Sequence, residues 1–212
     1  MPMYAESPET ERLIEQAARG DQAAREALFT RHRARLRQMV AVRLDDLLAR
    51  RVDPSDIVQE ALAEAHRTMD DYLRRRPLPF YPWLRRLAWE QLAQVHRQHV
   101  EAGKRSLLHE RRGDLDLPDR SALLLANRLI DSGTSPSQHA IREEMRDRVR
   151  AALDELTPRN REVLVLRFLE QLSTAEAATV LGIGEAAVSS RLVRALARLQ
   201  GLLEGDQTAE DG

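Results

Sequence analysis

The chain has 212 residues, 32% of them charged and 42% hydrophobic, and a formal net charge of −1. That apolar fraction is enough for a core and excludes a wholly disordered chain. The absence of cysteine excludes disulfides, Cys-ligated zinc and thiol catalysis, and no apolar run approaches the length of a membrane span.

Only 4% of residues are aromatic, while Leu, Ala, Arg and Glu dominate, so an all-α chain is expected. Near-neutrality is a sum of Arg-rich helices and acidic segments, so any nucleic-acid contact must come from local clusters of Arg. The N-terminus (residues 1–10) is polar and acidic rather than signal-like, and a cytoplasmic protein without membrane insertion is expected.

Ser7-Pro8 predicts a capped helix start, and Gly20-Asp21 punctuates the helix that follows. A longer helical stretch runs through Leu28, Leu36, Val40, Leu44 and Leu47. Asp53-Pro54-Ser55-Asp56 restarts the chain, with Asp53 as cap and Pro54 in the first turn. The next helix places Ile57, Val58, Ala61, Leu62, Ala65, Met69 and Tyr72 on one apolar stripe. Residues 74–82 hold Pro77, Pro79 and Pro82, which predicts a stiff basic loop with two exposed aromatics, Phe80 and Tyr81. Helix resumes at Trp83, which is read as core, with Leu84, Leu87, Ala88, Leu92 and Val95 inward and Arg85, Arg86, His96, Arg97 and His99 at its more polar positions.

Periodicity fades over residues 101–140, which read as a linker around a short apolar helix at 121–130. A second unit follows, with Ile141, Met145, Val149, Ala152, Leu153 and Leu156 lining one helix. Thr157-Pro158 starts the next, through Val163, Leu166 and Leu169. After Leu203 an acidic tail, residues 205–212, is expected to be disordered.

Residues 173–199 carry the strongest local pattern. Ser173-Thr174-Ala175-Glu176 is a capping box, Ala178 is a small residue suited to a helix crossing, and Gly182 supplies a turn. A second helix starts near Glu185 and buries Val188, Leu192, Ala195 or Leu196, and Leu199. Its outer face carries Glu185, Ser189, Ser190, Arg191 and Arg194, the arrangement by which a helix-turn-helix reads the major groove.

Taken together, these segments resemble the bacterial sigma-70 family of RNA polymerase sigma factors, in its extracytoplasmic-function (ECF) group. The resemblance covers residues 10–100 and 141–203. Leu156-Thr157-Pro158-Arg159-Asn160-Arg161-Glu162-Val163-Leu164 is similar to the family's proline-started helix. Val188-Ser189-Ser190-Arg191-Leu192 sits where a Val-Lys-Ser-Arg-Leu-like run is usual, with Ser189 replacing the basic residue. Asp56-Ile57-Val58-Gln59-Glu60 is close to the family's Asp-Leu-Val-Gln-Glu.

The resemblance implies two helical domains joined by a linker: a region 2-like domain over 7–100, a linker over 101–140 and a region 4-like domain over 141–204. It implies core polymerase binding by Asp56, Gln59 and Glu60, and contact with the opened −10 element by Arg74, Arg75, Phe80, Tyr81, Arg85, Arg86 and Arg97. The −35 element would meet Ser173, Glu185, Ala186, Ser189, Ser190, Arg191 and Arg194. Trp89, Glu90 and Gln91 depart from the family pattern. The implied partners are core RNA polymerase, promoter DNA and an anti-sigma factor, with no cofactor, no metal and no enzymatic activity.

Other readings compete. His96 and His99 have a helical spacing that a metal site can use, with Glu101 nearby. A dimeric helix-turn-helix regulator would bind duplex operator DNA by itself, and a helical adaptor would bind protein only.

Overall fold

The computed structural model describes the backbone of residues 6–102, 119–130 and 139–210, all of it helix, turn or short connection. The chain divides into two compact units, Met1–Arg111 and Arg112–Gly212.

In the first unit, α1 (Pro8–Ala18) starts where the Ser7 hydroxyl accepts a hydrogen bond from the Thr10 N–H at 3.3 Å, with Pro8 in the first turn. Gly20, at φ +91°, ends this turn, and the Asp21 carboxylate then accepts from the Ala24 N–H to begin α2 (Gln22–Arg43). A left-handed residue is cheap only for glycine, which explains the punctuation. After the short α3 (Asp46–Ala49), Asp53 caps α4 (Pro54–Arg75) by accepting from the Ser55 N–H at 2.7 Å. This bond, the Ser55 hydroxyl and the nearby Arg37 hold the Asp53 carboxyl below its ordinary pKa. The last element is α5 (Phe80–Ala102).

Helix α4 packs on α5 and α2, α2 also touches α5, and α1 lies on α2. The core between them holds Leu28, Leu36, Met39, Val40, Ile57, Val58, Ala61, Met69, Leu84 and Leu92. At one end Tyr72 stacks on Trp83 with centroids 4.2 Å apart, and Phe80 meets Tyr72 edge-on at 5.4 Å. Trp83 is buried, in agreement with its assignment to the core. The Tyr72 hydroxyl donates to the Leu78 carbonyl, and burial pushes its pKa up.

The loop expected at 74–82 is shorter than predicted. Helix α4 runs through Arg75 and α5 already begins at Phe80. Pro77 and Pro79 fall outside both helices. Pro82 lies in the first turn of α5, where a missing N–H costs no intrahelical bond. Arg76 closes α4 in a left-handed conformation, φ +40°. It forks onto the Glu11 carboxylate with contacts of 2.9 Å. Burial works against the Arg76 charge, but the bonds and charge of Glu11 outweigh it and raise its pKa.

In the second unit, α6 (Asp119–Ile130) buries Ser121, Ala122, Leu125 and Ala126, and it packs on α7 (His139–Asp154) and on residues 165–169. The apolar helix expected inside the linker therefore docks on the chain itself. Residues 103–118 and 131–138, the rest of that linker, lie outside the described residues, as do 211–212 of the tail.

Thr157 caps α8 (Pro158–Leu164), which passes into a π-helical turn, Val165–Leu169. The Arg161 guanidinium reaches back to the Leu153 and Asp154 carbonyls at 3.0 and 2.9 Å, satisfying the end of α7. Two helices complete the unit: α9 (Thr174–Leu181) and α10 (Glu185–Glu210). The tail expected to be disordered is thus helical in its backbone as far as Glu210. Among the described residues no helix is long and apolar enough to cross a membrane.

Candidate nucleic-acid interface

The helix-turn-helix is built from local bonds. The Ser173 hydroxyl accepts from the Glu176 N–H at 3.1 Å, and the Glu176 carboxylate accepts from the Ser173 N–H at 2.7 Å. Two backbone donors at the start of α9 are thereby satisfied. Gly182 ends α9 in the left-handed region, φ +64° and ψ 33°, and the Ile183 N–H donates to the Ala178 carbonyl. The Gly184 carbonyl takes the first bonds of α10 from Ala187 and Val188. Val188, Ala195 and Leu199 are buried, while Leu192 and Leu196 are half-buried.

Around the front of α10, Glu185, Ala186, Ser189, Ser190 and Arg194 are all exposed, and Arg191 is half-buried at the flank. Arg194 bends back along its helix to the Ser190 carbonyl at 3.2 Å. Ser173 is exposed too, but its hydroxyl oxygen serves the cap. Sequence reasoning passed over Val193, which stands 66% exposed on the same helix. The signal was available: Val193 repeats the helical spacing of Ala186 and Ser190.

In the first unit, Asp56, Gln59 and Glu60 are exposed together near the start of α4, with Ile57, Val58 and Ala61 buried behind them. Asp56, in the first turn, also lies at the positive end of the helix dipole.

The residues expected to meet opened DNA divide into two sets. Arg74, Arg75, Arg86 and Arg97 are exposed. Arg74 and Arg75 share one carboxylate, Asp71, each at 3.2 Å, and Arg86 lies 3.8 Å from Glu90. Phe80, Tyr81 and Arg85 differ, at 0%, 2% and 6% exposure. The expectation of aromatics exposed in a loop is corrected here. Phe80 packs among Phe29, His32, Tyr72 and Trp83, and the Arg35 guanidinium lies 3.8 Å above the Tyr81 ring. Arg85 lies over Trp89 at 5.5 Å, and Arg43 over the same indole at 5.4 Å.

His96 faces Asp45 at 4.0 Å, whereas the side chain of His99 lies outside the described residues. Among the described residues no group of three metal-ligating side chains forms.

Comparisons with known proteins fit this arrangement. Residues 146–199 match the family model for sigma-70, region 4. The RNA polymerase sigma factor CnrH of Cupriavidus metallidurans is 33% identical over 198 residues, spanning 92% of this chain and 94% of that protein. The RNA polymerase sigma-E factor of Streptomyces avermitilis is 33% identical over 174 residues, 79% of this chain and 84% of the relative. The ECF RNA polymerase sigma-E factor of Escherichia coli K12 is 27% identical over 187 residues, 86% and 88% of the two chains. A solved structure of CnrH in complex with the cytosolic domain of CnrY superposes with a TM-score of 0.52 at 28% identity, covering 93% of this chain and 99% of that one. These likenesses extend across both units, which does not favour a dimeric operator-binding regulator. The chain belongs to the ECF group of the bacterial sigma-70 family and is a sigma factor, not an enzyme, that directs RNA polymerase to promoters for initiation.

Proposed function

We propose that the two units divide promoter recognition between them. A region 2-like domain over 7–100 holds core polymerase through Asp56, Gln59 and Glu60, whose exposed acidic face complements a basic partner surface. Arg74, Arg75, Arg86 and Arg97 track the backbone of the strand opened at −10. Phe80, Tyr81 and Arg85 support that surface from behind. A region 4-like domain over 141–204 docks on duplex −35 DNA with the front of α10, and phosphate contacts supply most of the affinity.

The protein works in the cytoplasm. Since CnrH has been solved with the cytosolic domain of CnrY, we extend the reading to an anti-sigma partner that sequesters this chain until a signal arrives.

The observation that carries the proposal is the capped helix-turn-helix with its exposed polar front, in a chain similar to CnrH over nearly its whole length. Run-off transcription with purified core polymerase tests it. The expected outcome is a promoter-dependent transcript only when this protein is added, lost on combining Asp56→Arg with Glu60→Arg. Undiminished core binding by that double variant would refute the assignment of the acidic face.

A further inference from the structure

Helix α10 turns an unexpected face outward. Val193 is a large hydrophobic side chain left 66% exposed. A β-branched residue there neither favours the helix nor gains from burial, so local stability does not account for it. Val193 follows Ala186 by seven residues and Ser190 by three, and it precedes Ala197 by four, so all four share one face. Each is exposed, and Val188, Ala195 and Leu199 on the opposite side are buried. The outward face around Val193 is therefore the methyl groups of Ala186 and Ala197 and the hydroxyl-bearing Ser189 and Ser190, with Gln200 farther along. The guanidinium groups of Arg194 and Arg198 stand to one side, also exposed.

Small side chains let a helix sit deep in the major groove, and flanking arginines suit the phosphates at its edge. The flanking charge is a complement to DNA rather than to an apolar protein groove. In that groove the apolar group that distinguishes one base from the others is the thymine C5-methyl. We propose that Val193, with Ala186 and Ala197 on either side, reads thymine methyl groups in the −35 duplex. This factor then prefers thymine-bearing steps over guanines held by arginine forks. The inference rests on the −35 reading proposed above.

The test uses the full chain bound to core polymerase. Duplex libraries randomised across the −35 and −10 regions are made once with thymidine and once with deoxyuridine, which lacks only that methyl. The wild-type holoenzyme is expected to enrich thymine at one or more −35 positions. Selected duplexes should weaken about fourfold for each uracil placed there, the value of one buried methyl group. Val193→Ala, at an exposed site where alanine favours the helix, should weaken on thymine DNA by a similar factor and be indifferent to uracil. Arg194→Ala should weaken both DNAs equally. Equal wild-type affinity for thymine and uracil, or a full thymine preference in Val193→Ala, overturns the inference. Selection of no −35 sequence, with Arg194→Ala also neutral, overturns the −35 reading itself.

Discussion

Truncating Phe80 separates a packing role from a base-stacking role. The ring is fully buried, with centroids 5.4 to 6.0 Å from Tyr72, His32, Trp83 and Phe29. Removing a buried phenyl group costs about 3–5 kcal/mol, from lost transfer energy and the cavity left behind. Phe80→Leu keeps most of the volume and should cost about 1.5 kcal/mol or less. Urea unfolding followed by tryptophan fluorescence is the assay, because Trp83 contacts both Phe80 and Tyr72. With a denaturant slope of about 2 kcal/mol per molar, Phe80→Ala should lower the midpoint of the first unit by about 2 M. Arg75→Ala is the mirror experiment, since that side chain is 74% exposed. It should leave the unfolding free energy within about 0.5 kcal/mol of wild type while weakening binding to forked −10 DNA and flattening its salt dependence. If Phe80→Ala unfolded within about 1 kcal/mol of wild type yet lost fork binding, the assignment of Phe80 to the core would be wrong.

Two further outcomes follow from local geometry. The Asp53 carboxyl, held below its ordinary pKa by Ser55, stabilises the start of α4 above the pKa of the unfolded chain, and this contribution fades as pH falls through the lower folded value. Asp53→Ala should therefore lower the melting temperature at pH 7, with the gap to wild type closing below about pH 3 in a thermal-melt series. At Gly182 an added Cβ would meet nothing within 4 Å, but φ is +64°. Gly182→Ala should cost about 1–2 kcal/mol in chemical unfolding through backbone strain alone, and a cost near zero would contradict the left-handed turn.

The helix-turn-helix was legible because each of its determinants is local. A capping box spans four residues, the glycine turn follows at once, and the burial of Val188, Ala195 and Leu199 repeats with the helix. The proposed −10 surface was less legible because burial there depends on distant residues. Phe80 and Tyr81, between prolines and arginines, look like a loop in sequence. Phe29, His32 and Arg35, nearly fifty residues earlier on α2, close over them. Arg85 looked like a surface cation, but its guanidinium lies over Trp89 one helical turn later, an indole that Arg43 of α2 also covers. Docking of α6 was half legible: its apolar stripe was evident, but the surface that receives it combines α7 with the π-helical turn, two elements separated in sequence.

Net charge hides how the arginines are divided, and the three consecutive residues Arg74, Arg75 and Arg76 show it most clearly. Arg76 is committed to the fold, turned by its left-handed backbone onto Glu11 in a two-pronged pair that joins α1 to the end of α4. Its two neighbours extend into solvent and share Asp71, a single carboxylate that can offset only one of their two charges. Exposed pairs of this kind contribute little, about 0–1 kcal/mol, so a phosphate can displace Asp71 at small cost. The same holds for Arg86, whose partner Glu90 lies 3.8 Å away on an exposed face. A chain with 33 basic and 34 acidic residues can therefore still present a positive surface to DNA. The acids cancel the charge in the sum, while in space Asp71 and Glu90 sit beside arginines that can release them at small cost.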